Sequence, residues 1–223
     1  MPDHGDAWSR PWRPAAGGAF QVDCDDFSLV RLITHQNGEV VVDYRMRAAA
    51  GYRFIWAAHA LLDLTEGAEL HAASGTPTRL FAEAEPYVDD WPTGAHSLWG
   101  SWPAPAGLRL DRCGRQDGTA VGAVLCPHET GEAEIEVGDG SDVLRLHLDA
   151  PGQPASMALW RNLGGFPATK PYRSIGVEPM LGRVFDLADA GEGEAAVVPA
   201  GGELRWRLTV TASRTASGEG SCL

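Results

Sequence analysis

The sequence of 223 residues has only four cysteines, Cys24, Cys113, Cys126 and Cys222, scattered and without a CxxC pair. That excludes a disulfide-stapled scaffold and points to reduced thiols. Cys126 and His128 of "CPH" supply two metal ligands. A structural zinc site needs four, so no metal is expected. No apolar run reaches the ~20 residues of a membrane span, and the N-terminal "MPDHGDAWSRPW" has no signal-peptide core. A cytoplasmic location without membrane contact is the expectation. The 18 Lys and Arg face 30 Asp and Glu, giving a formal net charge of -12 with no basic cluster. Such a surface repels a phosphate backbone, so nucleic acid is not an expected partner. GxSxG, Walker and dinucleotide-binding glycine motifs are also missing. Their absence argues against serine-hydrolase and nucleotide-dependent chemistry, and no cofactor is expected.

What is present is a hydrophobic period of two. In "EAEIEV", Ala133, Ile135 and Val137 alternate with three glutamates, "GDG" follows at Gly138 to Gly140, and "DVLRLHLD" alternates Leu144, Leu146 and Leu148 with Arg145 and His147. This reads as a β-hairpin with one wet face, on which His147 is an ordinary exposed histidine. "ELRWRLTVTAS" repeats the pattern with Leu204, Trp206, Leu208 and Val210 inward. "EVVVDYRMRA" (Glu39 to Ala48) and "YRFIWAAHALL" (Tyr52 to Leu62) read as adjacent strands, the second buried on both faces, and "SMALWRN" as a further short strand. The 27 glycines and 15 prolines punctuate the whole chain, as many short strands require. Only "RVFDLADA" (Arg183 to Ala190) has a helical turn pattern. The segment from Glu85 to Gly107 reads as a long loop of the kind that lines sites, and the tail from Ser213 to Leu223 as frayed. The expected fold is all-β with very little helix. It is one domain over residues 1–212, a large antiparallel β-sandwich.

Three stretches could carry chemistry. In "PDHGDAW", His4 lies between two acids with Trp8 behind it, and a solvated terminal histidine is the plain alternative. In "FIWAAHALLDL", His59 interrupts an apolar run. It is a core histidine satisfied by a backbone partner, a metal ligand, or an acid that works on a substrate. In "WRNLGGFPATKPYRSIGVEPMLG", Glu178 precedes Pro179, which disfavours helix and holds it extended. A carboxylate at the end of an apolar strand is paired, here with Arg173 or Lys170, or functional. Trp160, Phe166 and Tyr172 offer flat faces on which a sugar can stack, or they are plain core aromatics.

Taken in order, these stretches resemble the galactose mutarotase-like family, which includes the aldose 1-epimerases. The resemblance is carried by "DHGDAW", "FIWAAHALL", "RNLGGFPATKPYRSIGVEPMLG" and "GGELRWRLTV", from Pro2 to about Val210. It implies the family's β-supersandwich, a monosaccharide bound in an open cleft on one sheet, and cofactor-free interconversion of α and β anomers. By that resemblance Glu178 is the general base at the anomeric hydroxyl and His59 the general acid at the ring oxygen. His4 is then the second histidine, and Trp8, Trp160, Asn162, Lys170 and Tyr172 are the expected sugar contacts. Glu and His, with reference pKa values of about 4.3 and about 6.5, can exchange protons near neutrality. His59 and Glu178 should face one cleft with room for a pyranose between them.

The sequence departs from the family in three ways. Ala60 and Leu61 follow His59 where many members have proline and an aromatic, which suggests altered sugar preference. The family's binding aspartate has no motif here, although Asp111 and Asp117 lie in the right interval. Strands that usually precede the "HG" motif, one of which brings a binding arginine, are not in this sequence. Either the assigned start is late or this form has lost them, and a loss would expose a sheet edge through which a homodimer could form. The competing readings are a carbohydrate-binding module without turnover and a hexose-phosphate epimerase. For the latter, Arg10, Arg13, Lys170 and Arg173 are the cations near the motifs.

Overall fold

Alternating side chains force a strand to bury one face, and two such faces must meet. The computed structural model describes residues 4–81, 96–101, 107–128 and 131–215. Its strands begin with β1 (Arg13–Pro14), β2 (Phe20–Asp23), β3 (Phe27–Gln36), β4 (Glu39–Ala48), β5 (Arg53–Phe54) and β6 (Trp56–Ala57). They continue with β7 (Leu61–Leu62), β8 (Glu69–His71), β9 (Pro77–Leu80), β10 (His96–Leu98), β11 (Ala120–Leu125) and β12 (Glu132–Asp139). The last are β13 (Asp142–Asp149), β14 (Ala155–Leu163), β15 (Arg173–Leu181), β16 (Ala196–Val197) and β17 (Glu203–Arg214).

Eight strands form one sheet in the order β1-β2-β3-β4-β17-β13-β12-β8. The second sheet runs β10-β9-β11-β14-β15-β6, with β7 also beside β15, and β16 pairs with β5 separately. Val22, Leu29, Met46, Ile135 and Leu148 of the first sheet share one buried cluster with Leu80, Met157, Leu159, Ile175 and Val177 of the second. The expected antiparallel β-sandwich is therefore the fold observed.

The β12–β13 hairpin follows the sequence closely. Ala133 faces Leu148 and Ile135 faces Leu146, all four buried, while Arg145 pairs on the outer face with Glu136 at 2.8 Å. The turn sits two residues later than "GDG" suggests, because the left-handed φ of 63° is at Gly140. His147 lies on the same outer face, 3.5 Å from Glu134.

Four expectations are corrected. Tyr52 to Leu62 is neither one strand nor a neighbour of β4, because β3 and β17 already occupy both edges of β4. The segment breaks into β5, β6 and β7, which pair with β16 and β15. "RVFDLADA" forms only a 3-10 turn at Leu187–Asp189, started by the Asp186 side chain accepting from the Ala188 N–H. Within the supposed long loop, His96–Leu98 is a strand on the edge of β9, and residues 85–95 and 102–106 lie outside the described residues. The last strand runs to Arg214, past the expected start of the tail, while residues 216–223 lie outside the described ones.

Candidate active site

Glu178 sits at the middle of β15, between β14 on one side and the interrupted β6–β7 edge on the other. Along that edge Met180 faces Ala57 and Gly176 faces Leu61. Counting inward from both pairs brings His59 opposite Glu178. The ladder is broken there for a chemical reason. Ala58 N–H donates to the Pro179 carbonyl at 2.9 Å, but Pro179 has no N–H to return to Ala58. The Ala58 carbonyl accepts from Ala60 N–H instead, at 2.8 Å. This three-residue turn has His59 at its apex. His59 is therefore not the floor of a doubly buried strand; its side chain is 37% exposed.

Directly opposed residues at a position without ladder bonds have close Cβ atoms on one face. His59 Nδ1 accordingly lies 3.0 Å from Glu178 Oε1. The expectation of one shared side is met, but the expected pyranose-sized gap is not: the two side chains touch. Gly176 makes this possible. A Cβ there would lie 2.7 Å from Glu178 Oε1 and 3.2 Å from Trp160 Cβ, so only glycine leaves space for the carboxylate to lie along the sheet. Period-two alternation places Gly176 and Glu178 on the same face, and that signal is legible in "GVEP" itself.

Burial pushes the Glu178 carboxyl up to about 7, with the His4 charge partly opposing it. His4 completes the group. Its Nε2 lies 3.1 Å from His59 Nε2, and the two rings stack with centroids 4.8 Å apart. The His4 backbone is left-handed, at φ 63°. Trp8 stands 5.7 Å from the His4 ring and is strongly exposed.

The other expected contacts divide. Trp160 faces Gly176 across β14 and β15, on the Glu178 side of the sheet, and packs edge-on against Phe166. Asn162 is fully buried. Its oxygen accepts from Gly164, Gly165 and Phe166 N–H, and its amide donates to Phe166 O and Ser174 Oγ. With those valences filled, Asn162 shapes the "GGF" turn and is not free to hold a sugar. Lys170 and Tyr172 are exposed on the connection between β14 and β15.

Arg173 does not pair with Glu178. Its guanidinium donates to the carbonyls of Leu64, Thr65 and Cys113. Asp111 holds Arg109, Asp117 holds the Thr119 turn, and Arg10 pairs with Asp25. Among the described residues no group of three His, Cys, Asp or Glu side chains could hold a metal ion. No helix among them is long and apolar enough to cross a membrane.

Solved structures share this architecture. An aldose 1-epimerase candidate from Escherichia coli K12 superposes with a TM-score of 0.67 at 13% identity, over 95% of this chain and 71% of that one. The chain has the galactose mutarotase-like fold. A mutarotase candidate from Salmonella typhimurium matches at 0.60 and 13% identity, over 96% of this chain and 68% of its own. An aldose epimerase homologue from C. elegans matches at 0.58 and 12%, over 93% and 70%. No family model and no curated protein matches the sequence. At such identity the mutarotase-like fold is what is shared, and activity has to be argued from side chains.

Proposed function

We propose that the chain is a carbohydrate isomerase of the aldose 1-epimerase type, acting on the anomeric carbon of a free hexose. The observation that carries this reading is the Glu178–His59–His4 contact series on one sheet face. Moving one proton along the 3.0 Å contact from Glu178 to His59 creates carboxylate and imidazolium together. Those are the base and the acid that ring opening needs.

Glu178 then removes the proton from the O1 hydroxyl as the C1–O5 bond breaks and C1=O1 forms. O5 takes a proton from His59. The open-chain aldehyde is neutral, rotates about C1–C2, and closes on its other face by the reverse steps. His59 Nε2 meets His4 at rest. A ring oxygen arriving at Nε2 replaces that contact, and His4 turns to a neighbouring hydroxyl. Because His59 and Glu178 touch, the sugar lies over the pair, with Trp8 and Trp160 offering apolar faces. The same direct contact favours a second reading, a sugar-binding protein without turnover.

Polarimetry on freshly dissolved α-D-glucose and α-D-galactose separates the two. Anomer equilibration well above the buffer rate is expected, and Glu178→Gln should slow it by about 100-fold or more. Sugar binding with a buffer-level rate would establish the binding protein. A Glu178→Gln rate equal to that of the parent would remove Glu178 from the mechanism.

A further inference from the structure

The sheet face that carries Glu178 has a second polar end. Glu178 faces Ala158, Ala158 faces Val124, Val124 faces Arg79, and Arg79 faces His96. Opposed residues share a face, so Arg79 and His96 lie on the Glu178 side, with Arg79 three strand spacings, roughly 14 Å, away. Between the ends, Val124, Ala158 and Met180 are buried beneath Ile55 and Phe81. Phe185 packs on Phe81 and over Gly122. This covered apolar strip keeps the two ends apart.

At the far end, Arg79, Arg183, His96 and His128 line a cavity of about 190 Å³ together with Cys126 and Glu194. Glu194 pairs with Arg79 at 2.8 Å, and its second oxygen accepts from Gly191 N–H. Arg183 makes no ion pair among the described residues. Its Nη2 donates to the Pro127 carbonyl at 3.3 Å, and its Nε is buried without an acceptor. That nitrogen, like the Nε atoms of Arg31 and Arg173, is closed off from solvent, so it is the charge of Arg183 rather than this atom that faces the cavity. One carboxylate faces two guanidiniums and two imidazoles, a local positive excess in a chain of net charge -12. The cavity is smaller than the ~300 Å³ at which drug-sized ligand pockets begin, and so suits a small ion or the charged end of a larger molecule.

We propose that this cavity is a second, oxyanion-binding site that takes a phosphate group between Arg183 and Arg79. Arg183 supplies a guanidinium without a carboxylate partner among the described residues, and Arg79 supplies one shared with Glu194. His96 and His128 add ring N–H donors at the rim. The same chemistry serves inorganic phosphate or the phosphate of a phosphorylated sugar. Only the second case rests on the carbohydrate reading above.

The test is isothermal titration calorimetry of the full chain with inorganic phosphate, glucose 6-phosphate and glucose, against sodium chloride at matched ionic strength. Phosphate should bind at one site. Arg183→Gln and Arg79→Gln should each weaken it by about tenfold or more, and Glu178→Gln should leave it unchanged. Should Arg183→Gln not fold by circular dichroism, Arg79→Gln and His96→Gln carry the test. Glucose 6-phosphate binding about tenfold tighter than phosphate assigns the site to the phosphate of a sugar ligand held apart from the Glu178 site, and equal affinity assigns it to a free anion. Heat no greater than that of chloride, or binding indifferent to both arginines, overturns the site. Binding is read here without turnover, so either result stands apart from the polarimetry.

Discussion

The β12–β13 hairpin and the β15 edge are both antiparallel strand pairs, yet they treat their polar groups in opposite ways. In the hairpin every residue from Glu132 to Asp139 has a partner, the apolar side chains go to the core, and the charges meet in water. At β15 the ladder against β6 and β7 opens for three residues around His59, and a carboxylate lies along the sheet over Gly176. A complete ladder leaves its charged side chains to pair across the wet face. An interrupted one, made by a proline that cannot donate and a glycine that leaves room, holds a carboxyl out of water and shifts its proton affinity.

The largest expected effect tests that shift. The Glu178 carboxyl is raised from 4.5 to about 7. Between those values the folded chain keeps a proton that the unfolded chain has released. The stabilising contribution is therefore complete below pH 4.5, falls as pH rises towards 7, and is gone above it. The full change is roughly 3 kcal/mol. Chemical denaturation from pH 4 to about 8 should show this decline, and Glu178→Gln should flatten it. Parallel curves for parent and variant would mean that Glu178 is not the group responsible.

Next in size is Gly176→Ala, whose Cβ would fall 2.7 Å from Glu178 Oε1. The carboxylate must move, with an expected loss of about 1–3 kcal/mol in unfolding free energy. Unchanged stability and an unchanged pH profile would show that the carboxylate has other room. Pro179→Ala is smaller and more pointed. It restores an N–H that can donate to the Ala58 carbonyl in competition with Ala60. Stability should change by about 1 kcal/mol or less, while the histidine side-chain NMR signals of His59 and His4 should both shift as the turn flattens. Static signals would refute the link between the proline and the turn. The smallest effect belongs to the regular sheet. Arg145→Ala removes an exposed pair with Glu136 and should cost under about 1 kcal/mol, less still at high salt. A larger loss by thermal denaturation would mean that the outer face is more than a solvated surface.

Much of the fold was legible because strand alternation is local. "EAEIEV", "DVLRLHLD" and "ELRWRLTV" each name their buried face within a few residues. The errors fell where partners are chosen over long distances. "YRFIWAAHALL" reads as one buried strand, but the edges of β4 were already occupied by β3 and β17. Asn162 was an expected sugar contact by the resemblance alone, yet its hydrogen bonds close the following turn. Of the cations named near the motifs, Arg10 and Arg173 are engaged elsewhere, whereas Arg79 and Arg183, which carry no motif, meet at a cavity.

The sequence by itself determined the β class, the inward and outward faces of its strands, and the three stretches that bear Glu178, His59 and His4. The class and the faces follow from residue type and spacing along a few neighbouring positions, and the three stretches were joined only by their resemblance to a known family. Only the tertiary structure decided that His59 falls opposite Glu178 and touches it. That contact depends on the register between two segments far apart in the chain, and on a ladder that Pro179 interrupts at the same point. Register is a property of paired strands, so one strand read alone cannot reveal which side chain it will meet.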